Sequence, residues 1–152
     1  MHKNRASSTW KHDTRKFGPL NALNNSTDDA WKSAQSDDNA NPLAYFEIDF
    51  HRPVHVSELR IQFQGGFVGM DCTVFKKCCN SSEEQMNADD EWEECEDFFI
   101  DPIDSNELQT FTSDGDGSSG NKCSAIRIEF GRSKDFYGRI VIYSLEVWGT
   151  ET

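Results

Sequence analysis

Basic charge is scarce in this chain: 15 lysines and arginines stand against 27 aspartates and glutamates, a formal net charge of −12. Such a surface repels other polyanions, which argues against nucleic acid or an anionic membrane as the principal partner and favours a cationic partner or a metal. No apolar run approaches the roughly 20 residues needed to span a bilayer as a helix. Met1-His2-Lys3-Asn4-Arg5 leads into polar residues instead of an apolar leader. The cysteines Cys72, Cys78, Cys79, Cys95 and Cys123 are odd in number, so one stays unpaired under any intramolecular scheme, and a reducing compartment is expected. Read this way, Asn25-Ser26-Thr27 is turn sequence and not a glycosylation site.

Catalytic signatures are missing as well. There is no GxSxG elbow, phosphate loop or HExxH element. Carboxylates crowd Asp89 to Asp97, but acid–base catalysis needs two of them at a defined separation in unlike environments, and a contiguous run does not provide that. Cys78-Cys79 is not a paired CxxC hook, and neither Cys72 nor Cys95 makes zinc spacing with it. Asp114, Asp116 and Ser118 begin like a calcium loop, yet no correctly spaced terminal glutamate follows. A non-enzymatic protein is expected.

What the chain does have is period-two alternation. Phe46, Ile48 and Phe50 alternate with Glu47 and Asp49, and Leu59, Ile61 and Phe63 alternate with Arg60, Gln62 and Gln64. Pro53 between them predicts a corner or sheet edge. Shorter strands are expected within Cys72–Cys79, at Phe98-Phe99-Ile100 and from Leu108 to Phe111. Ile126, Ile128 and Phe130 alternate again, and Ile140 to Trp148 is apolar enough for a central strand, with Val141, Tyr143, Leu145 and Val147 on one parity. Eleven phenylalanines and four tryptophans can fill one core in a chain of 152 residues. The pattern fits an all-β fold of two packed antiparallel sheets, sandwich or barrel, or a small α+β fold if Ser81 to Glu96 is helical. Residues 1–13 are expected to be a flexible N-terminal segment, with one domain over 14–150 and an acidic insertion at about 81–97.

Some loop residues invite a role. Gly65-Gly66-Phe67 ends a strand with two residues that permit unusual backbone angles, followed by a ring that either faces a ligand or folds back on the core. Arg139 is placed to pair with an acidic loop or to stand solvated at an edge. Asn24, Asp28 and Asp29 offer hard-cation ligands at a bend, although capping and Asx turns use the same residue types.

Thr14-Arg15-Lys16-Phe17-Gly18, Ala22 to Trp31, Leu59 to Phe67, Leu108-Gln109-Thr110-Phe111 and Asp135 to Tyr143 together resemble the family of small proteins associated with the testicular orphan nuclear receptor, within the discoidin, or coagulation-factor type C, group. The resemblance spans about residues 14–149. It implies a galactose-binding-domain-like jelly-roll β-sandwich, a location in nucleus and cytoplasm, and a partner protein, a nuclear receptor whose transcriptional activity is restrained. It also implies a structural calcium site at Ala22, Asn24, Asp29 and Glu146, with Asn24 standing where the group has aspartate. Partner contact is expected at Trp31, Gly65, Gly66, Phe67 and Arg139. A protein partner is expected ahead of a sugar, for which Phe67 or Trp31 is the nearest aromatic platform.

Overall fold

The computed structural model describes residues 3–6, 8–9, 11, 14–23, 30–34, 43–77, 92–96, 98–113 and 122–151. Among these residues eight strands form: β1 (Lys3–Ala6), β2 (Trp31–Lys32), β3 (Ala44–Phe63), β4 (Gly69–Lys77), β5 (Glu93–Glu94), β6 (Leu108–Thr112), β7 (Lys122–Ser133) and β8 (Val141–Glu151). A short helix, α1 (Thr14–Phe17), and a 3-10 turn at Pro19–Ala22 precede β2. No described helix is long and apolar enough to cross a membrane.

The two alternating segments around Pro53 are one bent strand that serves both layers. Its first part, Ala44 to Asp49, pairs with β7, and Phe46 to Asp49 also pair with β1. Its second part, Val54 to Phe63, pairs with β8, and Glu58 to Gln62 pair with β6. Between the two, the β7 register shifts, and His51 adopts a φ of 58° with its backbone N–H donating to Asp49 Oδ1 at 2.8 Å. A left-handed residue two places before a proline breaks the pleat, so the strand turns from one sheet into the other. One layer is therefore β1, the start of β3, β7, β4 and β5, and the other is β2, β8, the end of β3 and β6. This is the jelly-roll sandwich that the alternation and the resemblance imply.

Alternation puts Phe46, Ile48, Leu59, Ile61, Phe63, Ile128 and Phe130 between the layers. Trp31 joins them, with its ring 5.2 Å from Phe46 edge-on and 6.4 Å from Phe130. Each large side chain taken from water contributes about 1.5–3 kcal/mol. Near the end of β8 the paired strand β3 leaves room only for hydrogen: a Cβ on Gly149 would lie 1.8 Å from the His55 carbonyl oxygen.

Two local expectations are corrected. Residues 1–13 are not wholly a flexible segment, because Lys3–Ala6 add a strand to β3, and Ser8 accepts the Trp31 indole N–H on its carbonyl at 3.0 Å. Phe98-Phe99-Ile100 is not a strand; Phe98 makes an isolated bridge to Ser113, while Ile100 packs into the core without a ladder. In β8 both parities are buried in part, as a central strand requires: Val141 and Leu145 are buried on one, Ile142 opposite Phe63 on the other after a register shift between Gln62 and Phe63, and the Tyr143 hydroxyl donates to Gln64 Oε1 at 3.1 Å. Cys78-Cys79, residues 80–91 of the acidic segment and the turn at 114–120 lie outside the described residues.

Candidate functional site

At the end of the sandwich where β3 turns into β4 and β7 connects to β8, two loops are bonded into one surface. The first reverses at Gly65-Gly66, with Phe67 N–H donating to the Gln64 carbonyl at 3.0 Å. Gly66 has a φ of 88°, a conformation side chains resist, which explains a glycine at the tip. The loop before β6 caps this turn from outside: Gly65 N–H donates to Asn106 Oδ1 at 2.6 Å and Gly66 N–H to Asp104 Oδ1 at 2.8 Å. Gln62 Nε2 completes the contact by donating to the Asn106 carbonyl at 3.0 Å.

The second loop, Lys134 to Ile140, winds around Asp135. Ser133 Oγ donates to the Arg139 carbonyl at 2.6 Å and accepts the Asp135 N–H at 3.0 Å. The Asp135 carboxylate then accepts the Arg139 backbone N–H at 3.1 Å, Nε at 2.8 Å and Nη2 at 3.3 Å. Burial opposes ionisation of Asp135, but the hydrogen bonds and charge of Arg139 outweigh it and hold the carboxyl below its ordinary pKa. The same hydrogen bond raises Arg139. The loops are tied to each other by Lys134 N–H to the Val68 carbonyl at 3.0 Å and Val141 N–H to the Phe67 carbonyl at 3.2 Å.

Clamped by Asp135, the Arg139 guanidinium lies 5.2 Å from the Phe67 ring and 5.5 Å from the Tyr137 ring, within cation–π range of both. Phe136 and Tyr137 meet edge-to-face at 5.3 Å and 89°. Phe136 is 87% exposed and Tyr137 50%, on a turn closed by the Gly138 N–H donating to the Asp135 carbonyl at 3.1 Å. The result is a rigid platform of rings around one arginine.

Of the residues chosen from sequence, Gly65, Gly66, Phe67 and Arg139 come together here. Trp31 does not: it has no exposed surface, and its contacts are core rings, so its expected role in partner contact is corrected to packing. Among the implied calcium ligands, Asn24 and Asp29 lie outside the described residues. Ala22 is buried beside the core, and Glu146 faces outward on β8, opposite Arg60, with Oε1 accepting the Trp148 indole N–H at 3.2 Å. Among the described residues, no three His, Cys, Asp or Glu side chains converge to hold a metal.

Sequence reasoning missed Asp104, Asn106, Asp135, Phe136 and Tyr137. A signal for the last three was present, since two adjacent aromatics between an aspartate and a glycine cannot both face inward on a strand. Two recesses, of about 310 and 190 Å³, lie away from this platform and share Phe50 and Val147. Leu23, which borders the undescribed residues 24–29, walls the larger one, and neither is built of the polar groups that converge around Arg139.

Two packed antiparallel layers joined by a shared bent strand, with a bonded loop end, define the domain as a discoidin-type, galactose-binding-domain-like jelly roll. It resembles the F5/8 type C domain of a Bacteroides fragilis protein (TM-score 0.72, 11% identity, 99% of this chain and 93% of that one). It also resembles a Paenibacillus chitosan-binding module in complex with chitotriose (TM-score 0.70, 12% identity, 97% and 95%) and the CBM32 of AlyQ in complex with 4,5-unsaturated mannuronic acid (TM-score 0.62, 12% identity, 96% and 93%). At these identities the likeness is one of fold. No family model matches the chain. In sequence it is 31% identical over 147 residues to the nuclear receptor 2C2-associated protein of Danio rerio, covering 97% of this chain and 90% of that protein. It is 32% identical over 145 residues to that of Xenopus laevis, covering 95% and 91%. The chain belongs to the nuclear receptor 2C2-associated protein family.

These comparisons correct one expectation. The resemblance sets a protein partner ahead of a sugar, yet several of the solved chains that share the fold are carbohydrate-binding modules, two of them holding saccharides, which puts a sugar at least level. Solved chains matched over more than nine-tenths of their own length include such modules and a type C domain.

Proposed function

We propose that the domain binds carbohydrate on the platform formed by the Gly65–Phe67 and Lys134–Ile140 loops. The carrying observation is the edge-to-face pair of Phe136 and Tyr137, left exposed on a turn that Asp135 and Arg139 hold rigid. A sugar ring has an apolar C–H face and a polar hydroxyl rim. Aromatic faces take the first, and an arginine with donors in a fixed fork takes the second. Because the Asp135 clamp orders the loop beforehand, little conformational entropy is lost on binding. Carbohydrate-binding modules among the solved chains of this fold support the reading.

A glycan array followed by calorimetry tests it. The strongest hit is expected to lose at least about tenfold in affinity in Tyr137→Ala, roughly the 1.4 kcal/mol that one good ring contact supplies. A blank array, or hits that bind the Phe136→Ala and Tyr137→Ala variants undiminished, would overturn it.

A further inference from the structure

Beyond the platform, the outer face of the layer that holds β8, the end of β3 and β6 continues away from the Gly65 turn. Leu59, Ile61 and Phe63 point inward with no exposed surface, so Glu58, Arg60 and Gln62 of the same strand point out. Register sets their neighbours: Arg60 lies between Thr110 on β6 and Glu146 on β8, and Glu58 between Thr112 and Trp148. Trp148 is 47% exposed, yet its position is fixed. The Arg60 guanidinium sits 4.4 Å from its ring centre, its indole N–H donates to Glu146 Oε1 at 3.2 Å, and its carbonyl accepts Ser57 Oγ at 3.2 Å. Arg60 is itself held by Glu58. One face of the ring is therefore occupied, and the opposite face is the one presented to solvent. At the other end of this strip, Gln62 donates to the Asn106 carbonyl at 3.0 Å, in the loop that caps the platform's glycine turn. Glu58 lies seven residues before Gly65, which at about 3.3 Å per residue sets the Trp148 row roughly 23 Å from the platform.

Resting on the reading that the platform binds sugar, we propose that its ligand is an extended, neutral oligosaccharide whose chain runs from the platform along this strip, with its far unit stacked on Trp148. The strip offers hydroxyl, amide and paired charged groups beside one fixed ring, which matches a chain of hydroxyl rims and apolar C–H faces. A peptide strand would instead need a free sheet edge. On β6 that edge is already met by the preceding segment, through the Phe98–Ser113 bridge and through the Gln109 amide, which exchanges hydrogen bonds with the Ile103 N–H and carbonyl at 2.9 Å each. Charge decides for a neutral chain. Glu58 and Glu146 outnumber Arg60 on the strip, and the whole protein carries −12, so an acidic saccharide is repelled. Both carboxylates already accept a hydrogen bond, from Arg60 and from the Trp148 indole, so neither calls for a cationic one.

The full chain is titrated calorimetrically with β-1,4-linked series running from the monosaccharide to the hexasaccharide: cello-, manno-, xylo- and N-acetylchito-oligosaccharides. In at least one series, affinity is expected to climb with each unit up to about four or five and then level, by about tenfold or more in total from the disaccharide. Trp148→Ala is expected to flatten that climb while leaving the shortest bound member unchanged. Thr110→Arg, which lays a long side chain across the strip from an exposed position and keeps Trp148 in place, is expected to flatten it too. Tyr137→Ala weakens every length. Affinity independent of length, or a climb that survives both strip variants, overturns the extended site and leaves the platform reading standing. Array hits confined to glycans outside these series have the same consequence. No saccharide binding at all, here or on the array, removes both.

Discussion

Two sets of aromatic rings divide the molecule. Trp31, Phe46, Phe63 and Phe130 meet between the layers with essentially no exposed surface, whereas Phe67, Phe136 and Tyr137 stand at the loop end around a charged guanidinium. Residue type is the same in both; backbone context differs. A strand forces every second side chain inward and lets sheet pairing satisfy the backbone. A turn fastened by the Asp135–Arg139 clamp can hold adjacent rings out in water without unfolding. The first set stabilises, and the second is left available for recognition.

The largest test of that division is Trp31→Ala. Removing a fully buried ring is expected to cost about 3–5 kcal/mol, a large part of the roughly 5–15 kcal/mol that holds a domain together. Urea denaturation reads it, and a loss below about 1 kcal/mol would return Trp31 to the candidate ligand contacts. Next is Asp135→Asn, which weakens the clamp on Arg139 and is expected to cost about 1–2 kcal/mol at pH 7. Because the folded-state pKa of Asp135 is depressed, its contribution is complete above the unfolded value near pH 4 and is lost as pH falls through the folded value. Denaturation curves of wild type and variant should therefore converge in acid and separate toward neutrality; a gap independent of pH would assign the effect to something other than the charge.

Phe136→Ala is expected to change stability by no more than about 0.5 kcal/mol while weakening saccharide binding. A destabilisation comparable to that of Trp31→Ala would erase the distinction between the two ring sets. The smallest effect is expected at Cys72 on β4, whose thiol is pushed up to about 12 by burial and then by Asp71 and Asp101. Without thiolate it should resist iodoacetamide at pH 8 in the native protein, and mass mapping showing prompt modification would contradict that.

Much of the body could be read from the chain. Phe46-Ile48-Phe50 and Leu59-Ile61-Phe63 declared both their strands and their inward faces, since burial on one side of a pleat imposes a period of two. Gly65-Gly66 declared a turn. Half of the platform went unread because its parts are separated in the chain: Asp104 and Asn106 cap a turn some 40 residues earlier, with separations of 38 and 41. Trp31 misled for a similar reason. A tryptophan after a polar turn looks exposed until β2 is found paired with β8 against the core.

By itself the sequence determined where the main β-strands run, which of their faces are apolar, where its glycine turn falls and that its surface is acidic, because each of these follows from local composition and the two-residue repeat. Tertiary structure alone decided that β3 passes from one layer to the other, that Ile142 and not Tyr143 enters the core, and that Phe67 and Arg139 meet at one loop end beside exposed rings. Those outcomes depend on register shifts and on contacts between distant segments, and no repeat within a single segment encodes where its partner strand will lie.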